Sequence, residues 1–158
     1  MKFLTIMGTN LADTLSGQSD LSESFFGLQG ADVIYAGPYD HAHGGAGNDI
    51  LHGGMGSHLW GGAGDDTFVF KQSDFPCLCD VAHVRDFQHG HDKIDVSGFG
   101  IDWSAVVSGN VYHAYELTIK NVSKHMAAVA GDTNGDGNVD FVISVHTNKP
   151  LILDDVIL

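Results

Sequence analysis

Between Phe3 and Phe70 the chain contains no lysine and no arginine, while eight acidic residues fall in the same stretch. Over all 158 residues, 7 Lys+Arg face 20 Asp+Glu, for a net charge of −13. A surface of that sign repels phosphate backbones, which argues against nucleic acid as a partner. Glutamate is scarce too: 18 of the 20 acids are aspartate, the short, stiff carboxylate suited to tight cation-binding turns. Cysteine is limited to Cys77 and Cys79, too close in sequence to reach normal disulfide geometry with each other. They read as free or intermolecularly paired thiols, with a metal or redox role as the alternative. No apolar run approaches the ~18 residues that mark a membrane-spanning helix. The segment from Met1 to Asn10 meets Gly8 too early to hold the apolar core of a signal peptide, so if the chain is exported its address is expected elsewhere. An H-E-x-x-H zinc motif, a nucleophile elbow and a phosphate loop are all missing, and nothing points to catalysis.

Glycine is plentiful, and it is ordered. Fourteen of the 21 glycines precede Phe68, and they mark a nine-residue repeat, G-G-x-G-x-D-x-U-x, with U a large apolar residue. Gly44-Gly45-Ala46-Gly47-Asn48-Asp49-Ile50-Leu51-His52 and Gly61-Gly62-Ala63-Gly64-Asp65-Asp66-Thr67-Phe68-Val69 match it fully. The copy from Gly27 through Gly30 and Asp32 to Tyr35 lacks only the second glycine, and a looser copy runs from Gly8 through Asp13 to Ser16. Degenerate copies lie between them. Residues 17–26 have one residue too many and offer Glu23; residues 36–43 are one short and offer Asp40; residues 53–60 are one short and offer no carboxylate. The repeat resembles the calcium-binding nonapeptide of the repeats-in-toxin (RTX) proteins.

That resemblance implies a parallel β-roll in which two units complete one coil of about eighteen residues. The glycines allow tight turns, and each x-U-x makes a short strand with U pointing inward. Alternate turns then stack on opposite edges. One edge carries Asp13, Asp32, Asp49 and Asp66 without a break; the other carries Glu23, Asp40 and then nothing. Carboxylates stacked about 4.8 Å apart repel by roughly 3–4 kcal/mol at an effective dielectric near 20. Several such pairs rival a domain's whole stability, about 5–15 kcal/mol. Calcium between neighbouring turns reverses that sign and accepts backbone carbonyls as well. The expected ligand set on the first edge is Asp13, Gly30, Asp32, Gly45, Gly47, Asp49, Gly62, Gly64 and Asp66, with Asp40 on the failing edge. Folding and calcium binding are expected to be one event.

The second half is expected to close the roll with an antiparallel β cap, dividing the chain into residues 1–70 and 71–158. Residues 67–70 read as the last regular strand, and 71–80 as a loop. Ile94-Asp95-Val96, Leu117-Thr118-Ile119-Lys120 and the alternating Val139, Phe141, Ile143 and Val145 read as further strands. A short helix is expected over 102–108. Arg85-Asp86-Phe87, Gly90-His91-Asp92-Lys93-Ile94-Asp95-Val96-Ser97-Gly98 and the run from Asp132 to Phe141 resemble the C-terminal domain of serralysin-type metalloproteases. Acidic residues followed by Val156-Ile157-Leu158 resemble its export signal. The resemblance implies a secreted, extracellular module that follows a catalytic domain and folds outside the cell on calcium. Its export partner would be a type I ABC transporter that reads the C-terminus.

Three features stand beside that reading. Asp132, Asn134, Asp136 and Asp140 fit either a hairpin turn or a further calcium site; Ile143 stands where an EF-hand has its bidentate glutamate. The ten histidines include His41, His43 and His58 on or near the eroded edge, yet zinc is not expected there, because imidazoles readily replace turn residues that have lost a role. Trp60, Trp103, Tyr112 and Tyr115 leave a calcium-dependent carbohydrate- or surface-binding module as the alternative function.

Overall fold

The computed structural model describes residues 3–18, 22–76, 80–103, 105–108 and 113–158; Cys77, Cys79 and Tyr112 lie outside them. Each x-U-x triplet becomes a strand, and the chain winds between two sheets. The first two coils contain β1 (Phe3–Met7), β2 (Thr14–Ser16), β3 (Ser22–Gln29) and β4 (Val33–Tyr35). Next come β5 (His41–Ala46), β6 (Ile50–His52), β7 (His58–Ala63), β8 (Thr67–Lys71), β9 (Ala82–Phe87) and β10 (Lys93–Gly98). Odd strands pair in parallel in one sheet and even strands in the other. Inward-facing residues form two columns. Ile34, Leu51, Phe68 and Ile94 on one side meet Phe25, Ala42, Leu59 and Val84 on the other, all fully buried. Each large member contributes roughly 1.5–3 kcal/mol of apolar burial.

The coil is not a constant eighteen residues. Asp13 meets Asp32, 19 positions on, whereas Asp32 meets Asp49 and Asp49 meets Asp66 at 17. The extra residue in 17–26 and the missing ones in 36–43 and 53–60 account for this. They are absorbed in the turns, because the strands keep Ile34 opposite Leu51 and Leu51 opposite Phe68. Two non-glycine residues of the repeats have positive φ, Leu28 and Tyr39. Leu28 stands where Gly45 and Gly62 stand in the complete repeats, and its φ is +83° in the left-handed region that disfavours side chains. Leu28→Gly is expected to stabilise the folded chain by about 1 kcal/mol, read as a rise in thermal midpoint; an unchanged or lower midpoint would show the strain to be relieved elsewhere.

The cap follows as β11 (Ala105–Val107), β12 (Glu116–Ser123), β13 (Met126–Gly131), β14 (Phe141–Thr147) and β15 (Val156–Ile157). β12, β13 and β14 are antiparallel, and β14 joins β9 in parallel, so the cap extends the odd sheet to nine strands. Two expectations are corrected. Residues 67–70 do not end the parallel stack: β10 pairs with β8, and β15 with β10, because Ile94 and Val156 continue the buried column below Phe68. Residues 105–107 form a strand beside β12 instead of part of a helix, as suits Val106-Val107, whose branched side chains favour extended backbone. Trp103 is partly buried and packs against the core: its ring lies 6.3 Å from Phe99 and 6.2 Å from Phe141. Among the described residues no helix is long and apolar enough to cross a membrane.

Candidate metal centre

The aspartates of the unbroken edge form a continuous hydrogen-bonded ladder. The Asp13 N–H donates to Asp32 Oδ1 (2.8 Å), Asp32 N–H to Asp49 Oδ1 (2.8 Å) and Asp49 N–H to Asp66 Oδ1 (2.9 Å). Asp66 N–H then donates to Asp92 Oδ1 at 3.1 Å. Asp92 is a fifth rung that the repeat count missed. Its signature, Gly90-x-Asp92-x-Ile94, is the second half of the nonapeptide without its leading glycines.

From Asp32 onward one oxygen of each rung accepts from the preceding coil, and the other differs along the ladder. Asp13 Oδ2 accepts from the Thr9 N–H and hydroxyl, and Asp92 Oδ2 from the Gln88 N–H. Asp32, Asp49 and Asp66 are about 1% exposed, and their Oδ2 atoms have no donor among the described residues. A buried carboxylate oxygen without a partner costs several kcal/mol, so these three atoms require an explanation.

The surrounding backbone supplies one. A side chain on Gly44 would collide with Asp49 Oδ2 (2.3 Å) and the Gly61 carbonyl (2.7 Å); on Gly27, with Asp32 Oδ2 (2.3 Å) and the Gly44 carbonyl (2.4 Å). A carboxylate oxygen and a carbonyl oxygen from neighbouring coils thus lie close to one point beside each of these glycines. Gly47 and Gly64, at φ +136° and +142°, let the carbonyls of Gly30 and Gly47 approach where any Cβ would stand. Gly45 and Gly62 do the same beneath the carbonyls of Leu28 and Gly45. Among the described residues no three or more His, Cys, Asp or Glu side chains converge on one point. The donor set is instead carboxylate plus backbone carbonyl, all hard oxygen, which suits calcium and not zinc.

Electrostatics agree. Burial, then the charges of Asp92, Asp49 and Asp86, push the Asp66 carboxyl up to about 7. Burial and Asp86 push Asp92 to about 6, and burial with Asp32 raises Asp49. Asp86, also missed from sequence, accepts the N–H groups of Gly61 and Gly62 at 2.9 and 3.1 Å and closes the last repeat turn.

The other edge differs. Glu23 N–H donates to Asp40 Oδ1 at 2.7 Å, but Asp40 Oδ2 is taken by the Gly37 N–H of its own shortened turn at 2.6 Å. Ser57 accepts from Gly54 in the next coil, and among the described residues of this edge Glu23 Oε1 is orphaned. The Asp132 loop also closes on itself. Asp132 accepts from the N–H groups of Asn134, Gly135 and Gly137, and Asp140 from Thr133 and the Asn134 side chain. Asp136 accepts from the Asn138 N–H. Burial works to raise the Asp132 carboxyl, and the backbone donors outweigh it and hold it below its ordinary range.

The family model for the serralysin C-terminal domain of M10 peptidases matches residues 18–158. The chain belongs to the serralysin C-terminal family. Members are RTX β-roll modules of the calcium-binding, secreted, non-catalytic class. Among solved structures, the AlgE6R2 subunit of the Azotobacter vinelandii mannuronan C5-epimerase is similar at 27% identity and a TM-score of 0.53, over 96% of this chain and 90% of that one. The AlgE6R3 subunit of the same enzyme matches at 25% identity and a TM-score of 0.48, over 95% and 80%. No curated protein sequence matches.

Proposed function

We propose that this serralysin-type module is a calcium-triggered folding and secretion unit, exported unfolded by a type I transporter and rolled up by extracellular calcium. The observation that carries the reading is the row of orphaned, buried Oδ2 atoms on Asp32, Asp49 and Asp66. These oxygens and the facing carbonyls would hold the ions; bound calcium supplies the positive charge that the rungs lack. The chain's own part is to align the acceptors by the Asp N–H to Oδ1 ladder. The C-terminus supports export before folding. Leu151, Asp155 and Val156 are buried, and His89 Nδ1 lies 2.8 Å from Asp155 Oδ2, so the closing residues belong to the fold once it forms.

Titrating the chelator-treated chain with calcium should give a cooperative gain of β circular dichroism with roughly three ions bound by calorimetry, unmatched by magnesium. A native-like β spectrum in chelator, indifferent to calcium, would overturn the folding half of this reading. Export of a fused passenger that survives deletion of residues 156–158 would overturn the secretion half.

A further inference from the structure

Arg85 is the chain's single arginine. It lies on β9, between β7 of the roll and β14 of the cap. Its Nε and Nη2 donate to His58 Nδ1 at 3.1 and 2.7 Å, and Nη1 is 3.4 Å from His146 Nε2. Among the described residues the ion pairs are Lys71–Asp74, His89–Asp155 and His91–Asp65, and none includes Arg85. In a chain with 20 acids, the one guanidinium is held by rings instead of carboxylates. Two rings do not exhaust its five N–H donors.

Arg85 lines a cavity of about 300 Å³ with His125, His146, Gln88, Asn148 and Asp86. The Asp86 carboxylate is engaged by the Gly61 and Gly62 N–H groups. We propose that this cavity binds an oxyanion, a carboxylate or sulfate group, on Arg85 with the imidazoles of His125 and His146 beside it, while His58, outside the lining, holds the Nε edge of the guanidinium. A guanidinium offers such groups two parallel charge-assisted bonds. His58 is neutral at pH 7, because burial first and the Arg85 charge second press its pKa down to about 4. A neutral His58 accepts from the guanidinium and leaves its positive charge uncompensated for an arriving anion. Along the same sheet run the stacked rings of Phe26, His43 and Trp60, with centroids 4.8 and 4.3 Å apart. The anion's source is therefore either a free small ion or the acidic unit of a sugar chain lying along those rings.

The test uses the full chain folded in calcium and follows histidine ring resonances by NMR. Millimolar sulfate and glucuronate, against chloride at matched ionic strength, should shift His58 and His146 saturably. Arg85→Gln should lose about tenfold or more in affinity, with partial retention in Arg85→Lys. A glucuronate oligosaccharide binding about tenfold tighter than the monomer, dependent on Trp60, would assign the site to a glycan; equal affinities would assign it to a small ion. Absence of saturable shifts in the wild-type chain overturns the proposal, whether or not the variants fold. Shifts that persist unchanged in a folded Arg85→Gln overturn it equally.

Discussion

Asp49→Ala is expected to raise the calcium concentration needed for folding by about tenfold or more and to lower the number of ions bound. Asp49 sits in the middle of the ladder, so its loss acts in two directions. It removes the Oδ1 acceptor of the Asp32 N–H, a charge-assisted bond worth roughly 1.5–3 kcal/mol. It also removes an orphaned Oδ2 that faces the Gly61 carbonyl. Asp40→Ala is the matched control from the opposite edge. It breaks the bond from the Glu23 N–H and the one from Gly37, so it costs stability too, but Asp40 Oδ2 is already satisfied by protein. Its expected signature is an equal loss of stability at every calcium concentration, with unchanged stoichiometry. Calorimetry and circular dichroism on both variants separate the cases; equal calcium effects from the two substitutions would remove the distinction between the edges.

The parallel roll was legible because a nine-residue period puts an apolar residue and an aspartate at fixed offsets, and each offset has one structural meaning. Leu51 and Phe68 have no place but the core column, and Asp49 and Asp66 none but the turn. The ladder's end was harder to read, since Asp92 follows a 26-residue excursion from Asp66 and lacks the glycine pair. Spacing along the chain no longer measures spacing along the roll once a coil contains an insertion. The strand at residues 105–107 was missed for a different reason: three residues carry too little periodicity to separate helix from strand, and pairing with β12 decides it. The sequence could not show which carboxylates keep a free oxygen. Asp40 and Asp49 occupy the same repeat position, but only the shortened turn brings the Gly37 N–H onto Asp40.

Asp66→Asn is expected to change sign with the metal, stabilising the fold in chelator and weakening it in calcium. In the absence of metal the Asp66 carboxyl is raised to about 7 and that of Asp92 to about 6, each from an ordinary value near 4. The folded chain therefore holds more protons than the unfolded one between about pH 4 and 7, and stability falls as pH rises through that window. The contribution of these groups is fully present below about pH 4 and lost above about pH 7. Calcium reverses the dependence, because protons then compete with the ion for the same oxygens. His58, depressed to about 4, acts in the opposite direction: its neutral folded form contributes stability that is lost as pH falls below about 6.5. That imidazole term lies off the ladder and is common to both conditions, so the difference between chelator and calcium isolates the carboxylates. Asparagine keeps the Oδ1 acceptor for the Asp49 N–H and replaces the charged, orphaned oxygen with a neutral amide. In chelator near pH 7.5 the variant should retain more β signal than wild type, and lowering the pH toward 5 should narrow that gap as wild-type Asp66 takes up its proton. In calcium the order should invert, with the wild type more stable at every pH above about 6. If the variant is the less stable chain under both conditions, the Asp66 oxygen is compensated by something other than a cation.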